Sequence, residues 1–124
     1  MSAEHVHFFM HLRNQIKLYH WQTYIYARHI ATDEILEKLE KQMDRFVEVY
    51  SGKYGRPKLT GKNATITLQN LTEAGAVRLL KSSTKHLQGP IRKHLDPAVD
   101  TELITTVDEL VIHLNQLLYL FTLH

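Results

Sequence analysis

Apolar residues recur along this chain at the three-and-four spacing of helices. Near the N-terminus Phe8, Phe9, Leu12, Ile16 and Tyr19 share one helical face. Ile35, Leu39, Met43, Phe46 and Tyr50, widened by Leu36 and Val47, make a second stripe. Val77, Leu80, Thr84 and Leu87 make a third. The clearest is the last, with Leu103, Val107, Leu110, Leu114, Leu117 and Phe121 backed by Ile104, Val111 and Leu118. Each stripe leaves a polar face outside, the pattern of helices that bury one side against each other.

Breakers divide the pattern. No Gly or Pro interrupts residues 1–51, yet one helix of that length spans about 70 Å, too long for a domain of this size. Its weakest helical stretch is residues 23–26, TYIY, β-branched and aromatic. Thr23 or Thr32 can cap a second helix there, which then runs from about Ala27 to about Tyr50. Residues 51–70 carry three glycines and a proline and read as a connection. At that length it suits a crossover along the side of a bundle rather than a tight turn. Asn70 or Thr72 caps the third helix, Gly89-Pro90 ends or kinks it, and residues 91–95 add a last turn. Asp96-Pro97 reads as the start of the fourth. The expected fold class is all-α: a single domain over residues 1–124, a ferritin-like four-helix bundle with a long crossover between helices 2 and 3.

Composition narrows the setting. The chain has 124 residues and no cysteine, so it offers neither a disulfide nor a thiolate metal site, and a reducing compartment fits. Its N-terminus lacks the basic and apolar regions of a secretion signal. No apolar run approaches the roughly 20 residues of a membrane span. A soluble, cytoplasmic protein is expected. Charge is uneven: six Lys/Arg against seven Asp/Glu in residues 1–50, nine against one in 51–95, and none against five in 96–124. The basic middle can meet an anion such as nucleic acid through Lys53, Arg56, Lys58 and Lys62, or face acidic parts of its own bundle or a neighbouring subunit.

The candidate chemistry lies between Tyr19 and Tyr50. His20 and His29 are followed by Asp33, Asp44 and Glu48. At about 100° per residue, His29, Asp33, Asp44 and Glu48 fall within about a 100° arc of one helix. Imidazole and carboxylate without thiol suit iron, manganese or zinc. In one continuous helix His20 and His29 point in opposite directions. They share a site only if the chain turns between them or a second subunit completes it. Other features have plainer readings. Glu34/Lys38 and Glu37/Lys41 are surface pairs. Glu4, His7 and His11 have a metal-clip spacing but read as solvated terminal residues. His86 and His94 are expected to face solvent, and His113 to sit in the core or an interface. Trp21 and the tyrosines are expected at helix ends and subunit contacts.

The order His, His-x3-Asp, Asp-x3-Glu, with His20-Trp21 after Tyr19 and the later run FVEVYSGKYGRPKL, resembles the Dps family of mini-ferritins. Glu109-Leu110-x-x-His113-Leu114 is similar to that family's last helix. The likeness is dense over residues 16–58. YHWQTYIYARHIATDEILEKL is also similar to small proteins of large DNA viruses and phages, which would place the chain in a host cytoplasm. The interval from His20 to His29 is shorter than the family's and lacks its turn glycine. The N-terminus has no Lys/Arg-rich tail, so tail-mediated DNA binding is not implied.

The resemblance implies a homo-oligomer, a dimer at least and a twelve-subunit shell in the family. Its metal site is shared by two chains, His20, His29 and Asp33 coming from one and Asp44 and Glu48 from its two-fold mate. The implied activity is ferroxidase: Fe(II) bound at a mono- or di-iron site is oxidised by peroxide or dioxygen, and the ferric product is stored, protecting against oxidative stress. Zinc or manganese suits the same ligands. A second reading, from a different class, is a non-catalytic helical oligomerisation or binding protein with the same shape, touching nucleic acid through its basic middle.

Overall fold

The computed structural model describes residues 2–124. It contains four α-helices and no strand among those residues: α1 (Ser2–Gln22), α2 (Tyr26–Tyr54), α3 (Glu73–His86) and α4 (Thr101–Leu120). The four apolar stripes meet in one core. Phe9, Leu12, Ile16 and Tyr19 of α1 face Ile35, Leu36, Leu39, Met43 and Phe46 of α2. Leu80 and Leu87 enter from the α3 side, and Leu103, Val107, Leu110, Leu114, Leu117 and Phe121 line the inner face of α4. The helices neighbour one another in the cyclic order α1, α2, α4, α3. No helix is long and apolar enough to cross a membrane.

The first break falls in the TYIY stretch. Residues 23–25 form the turn between α1 and α2. The Thr23 N–H closes α1 on the Tyr19 carbonyl, and the Thr23 hydroxyl accepts from the Ile25 N–H. Neither candidate cap, Thr23 or Thr32, is the N-cap of α2: Ile25 holds that position without a side-chain bond, and Thr32 lies about one turn and a half inside the helix, fully buried.

α2 runs past the predicted boundary at Ser51. Gly52 inside a helix costs about 1 kcal/mol relative to alanine, but the turn it sits in is held from outside. Tyr54 packs at a tilt against Tyr50 and donates to Asp100, and Lys53 pairs with Asp100 and Glu102. The helix stops at Gly55, whose φ of 95° is a conformation that side-chain-bearing residues rarely adopt.

Residues 55–72 return the chain along α1 with only a 3-10 turn, Gly61–Ala64. Their polar backbone is met by α1 side chains. His7 Nε2 donates to the Thr65 carbonyl, and Gln22 donates to Asn70. Gln15 both donates to the Gln69 carbonyl and accepts from the Gln69 N–H. α3 then starts beside the α1–α2 turn, with Thr72 capping the Gly75 N–H as expected.

Pro90 does not end the helical path after α3. A π-type turn, Leu87–Ile91, accommodates it and keeps Leu87 and Ile91 buried. The start of α4 also differs from the sequence reading. Asp96 accepts from the Ala98 N–H in a local turn, and the Asp100 carboxylate reaches back to the Asp96 N–H. Helix therefore begins only at Thr101.

Candidate metal centre

The short turn folds α2 back on α1 and brings the two histidines face to face. The His20 and His29 rings lie 4.0 Å apart between centroids at an interplanar angle of 12°. Tyr26 lies beyond His29, 6.3 Å away. Divergence in one continuous helix becomes convergence once residues 23–25 reverse the chain.

Each ring is held through Nδ1. The Thr32 hydroxyl donates to the Arg28 carbonyl at 2.7 Å, so its oxygen accepts from His20 Nδ1–H at 2.9 Å. His29 Nδ1–H donates to the His20 carbonyl at 2.8 Å. In the neutral form each ring therefore carries its lone pair on Nε2, and neither Nε2 has a hydrogen-bond partner among the described residues. Imidazoles that bind metals are usually oriented in this way, with the far nitrogen on a carbonyl or other acceptor. Burial lowers the His20 pKa, and its backbone contact with His29 opposes that only in part. The ring is thus kept in the neutral form a cation needs.

The turn is fixed by a network that the sequence reading missed. Tyr19 and Thr23 both donate to the Glu73 carboxylate at the start of α3, at 2.7 and 2.8 Å. Arg28 donates to the Tyr19 hydroxyl and the Glu73 carbonyl and lies over the Phe121 ring, 4.4 Å from its centroid. Burial alone would raise the Glu73 carboxyl. The hydrogen bonds from Tyr19 and Thr23 and the charge of Arg28 outweigh it and hold Glu73 below the usual carboxylate range. One charged cluster thus joins the α1–α2 turn to α3 and to the end of α4.

The carboxylates are placed differently. Asp33, Asp44 and Glu48 are exposed, so these three do not form a buried acidic row. Asp33 lies one turn beyond His29, close enough for its charge to favour His20 protonation. It borders a hollow with Arg13, Lys17 and Glu37. Asp44 borders the groove between α1 and α2, beside Met10, Arg13 and Lys41, and Glu48 opens onto the end of α2 near Arg56. At about 1.5 Å per residue, Asp44 is about 22 Å along α2 from His29. Among the described residues no three His, Asp or Glu side chains are placed to hold an ion together.

Other expectations change in the same way. His7 is spent on the Thr65 carbonyl and stacks over His11 at 6.4 Å, so the Glu4–His7–His11 clip is not assembled. His86 is half-buried against Phe8, with centroids 4.3 Å apart, instead of facing solvent. His113 is half-buried and pairs with Gln116. The basic middle faces the acidic C-terminal segment in part, through Lys53 with Asp100 and Glu102 and through Arg92 with Asp108. Lys53 is therefore not free for an outside anion. Trp21 and Tyr24 are exposed where α1 ends and the chain turns, Tyr24 completely.

The model of a family of unknown function, DUF5856, matches residues 20–121, a stretch that includes all five candidate ligands. The chain belongs to this family. No curated protein and no solved structure matches it.

Proposed function

We propose that this member of DUF5856 is a ferritin-like protein that binds Fe(II) and oxidises it with peroxide or dioxygen, keeping the ferric product within an oligomer. The observation that carries the reading is the stacked His20–His29 pair with both Nδ1 atoms occupied and both Nε2 atoms open. The path of the chain supports it. α1 and α2 are antiparallel, the connection returns along α1, and α3 and α4 follow as a second antiparallel pair, the connectivity of a ferritin-like bundle.

Iron is the substrate here. His20 and His29 supply nitrogen donors at one end of α2, and Asp33 a carboxylate one turn further along. Asp44 and Glu48, exposed about 22 and about 28 Å away along α2, reach such a pair only on another copy packed antiparallel against α2. The exposed carboxylates and the resemblance to Dps both favour that division. With peroxide as oxidant, two ferrous ions each give up one electron, the O–O bond breaks, and the peroxide takes up two protons to leave as two water molecules.

Anaerobic Fe(II) titration followed by peroxide, on the wild type and on an Asp44→Ala/Glu48→Ala variant, tests this. Saturable binding and rapid ferric absorbance, both lost in the variant, are expected. Equal behaviour of the two proteins overturns it. A second reading, a helical oligomerisation protein without turnover, is favoured by the exposed, separate placement of the carboxylates and the lack of three convergent ligands among the described residues. It predicts oligomers that persist in the variant and show no iron-dependent absorbance in either protein.

A further inference from the structure

The open face of α1 and α2 differs in shape and polarity between its two ends. At the end that holds the histidine pair it presents Trp21, 67 % exposed, and Ile30, 41 % exposed. Trp21 belongs to this face because the Lys17 ammonium lies over its ring, 5.3 Å from the centroid, and Lys17 walls the α1–α2 hollow with Asp33 and Glu37. Toward the other end the face sinks into a groove of about 480 Å³ lined by Val6, Met10, Met43 and Val47, with Lys41 and Asp44 also on its wall. Met10 is 40 % exposed there. One end is thus an apolar projection and the other an apolar recess.

The two ends are in register for a second copy. In the antiparallel α2 pairing that the iron reading needs, His29 stands level with Glu48 of the other chain, and Asp33 with Asp44. The same register sets Ile30 level with Val47. It also sets Trp21, which follows His20 at the level of the stacked His29 ring, against the groove. Ile30 and Val47 lie about 26 Å apart along α2, so a two-fold axis midway carries each projection onto the other copy's recess. The charges between them agree. Glu37 comes beside Lys41, twice over by symmetry. Asp44 meets the hollow that holds Lys17, a cation with no ion-pair partner among the described residues.

We propose that this face is an isologous dimer interface in which Trp21 and Ile30 of each chain fill the Val6, Met10, Met43 and Val47 groove of the other. Its register rests on the iron reading, because it is the one that brings Asp44 and Glu48 to His20 and His29. The apolar ends supply what the ligands cannot. Exposed, solvated charges contribute little to association, whereas a large aromatic side chain entering a partner's pocket carries much of it.

Sedimentation and the emission of Trp21, the only tryptophan of the chain, test this together on the metal-free protein across a dilution series. A dimer, or an assembly built from dimers, with blue-shifted emission is expected, and the emission moves to the red as dilution separates the chains. Met10→Asp places a charge in the groove at an exposed position and weakens association about tenfold or more. Ile112→Asp makes the same change on the exposed face of α4 and leaves association unaltered. Circular dichroism verifies the folding of both variants. A monomer at every concentration overturns the proposal. So does an assembly whose Trp21 stays solvated, or one that Met10→Asp weakens no more than Ile112→Asp does. No iron is present in these measurements, so a dimer of this kind that fails to oxidise Fe(II) removes the iron reading alone. Fe(II) oxidation by chains whose Trp21 stays solvated removes this interface alone.

Discussion

His29 Nδ1 donates to the main-chain carbonyl of His20, 2.8 Å away. One histidine's backbone therefore orients the other's ring, and the second cannot move without the first. His20 in turn depends on the Thr32 hydroxyl. Under the iron reading, Thr32→Val removes that acceptor and lets the His20 ring rotate or change tautomer. Fe(II) affinity should fall about 10- to 100-fold, with a stability loss of about 1 kcal/mol. Anaerobic titration and urea denaturation check the two effects separately.

Glu73 carries the hydrogen bonds from Tyr19 and Thr23. Glu73→Gln keeps the shape but removes the charge that both donors and Arg28 address. Hydrogen bonds to charged groups are worth about 1.5–3 kcal/mol, so a loss of about that size is expected in denaturation. Amide exchange should quicken first at residues 23–32. An unchanged exchange pattern there would show that the turn is held without Glu73.

His5 makes stability depend on pH. Burial, then the neighbouring His94, brings its folded pKa down to about 4, below the ordinary 6.5, so the unfolded chain takes up the proton first. The contribution of neutral His5 is fully present above pH 6.5 and is lost as pH falls toward 4. His5→Gln should flatten this part of the profile. Urea midpoints of both proteins at pH 7 and pH 5, measured without metal, give the comparison, and parallel profiles would contradict it.

Asp100 has the opposite origin but the same sign. Hydrogen bonds from Lys53, Tyr54 and the Asp96 N–H hold its pKa down at about 2, below the ordinary 3.8. The depressed carboxylate stabilises the fold above pH 3.8 and stops doing so as pH drops toward 2. Asp100→Asn should cost about 1–3 kcal/mol at pH 7, and the gap to wild type should close on acidification. Loss of this group also frees the last turn of α2, so fraying of residues 51–54 is the accompanying signal.

The helices were legible because the stripes were unambiguous. Leu103, Val107, Leu110, Leu114, Leu117 and Phe121 are all in the core, and the β-branched, aromatic run at residues 23–26 located the break. The ends of α2 and α4 were misread for a common reason. Gly52 and Asp96-Pro97 are local signals, whereas Lys53, Tyr54 and Asp100 meet across 46 or more residues of sequence. Side chains that close such contacts override the local preference of a single turn.

The site was legible in its residue types and only partly in its geometry. His20 and His29 were identifiable, yet their convergence depended on a turn whose direction no local pattern fixes. Thr32, Arg28 and Glu73 were passed over because each has an ordinary helical role in sequence: a cap, a surface cation, a first-turn acid. The signal for His5 was present. His5, Phe9, Leu12, Ile16 and Tyr19 keep one four-three-four-three spacing, which places the histidine on the buried face.

Gln15 gives residue 69 of the α2–α3 connection both of the hydrogen bonds that a neighbouring strand would give it. That connection has no ladder of its own and is fastened by three side chains of α1, His7, Gln15 and Gln22. A segment held this way opens by breaking a few bonds, while the apolar core stays closed. Its opening draws Lys62, Asn63 and Thr65 away from the cleft that contains His5. The bundle can thus exchange a small solute with an imbedded ring on the timescale of loop opening, with every helix still folded.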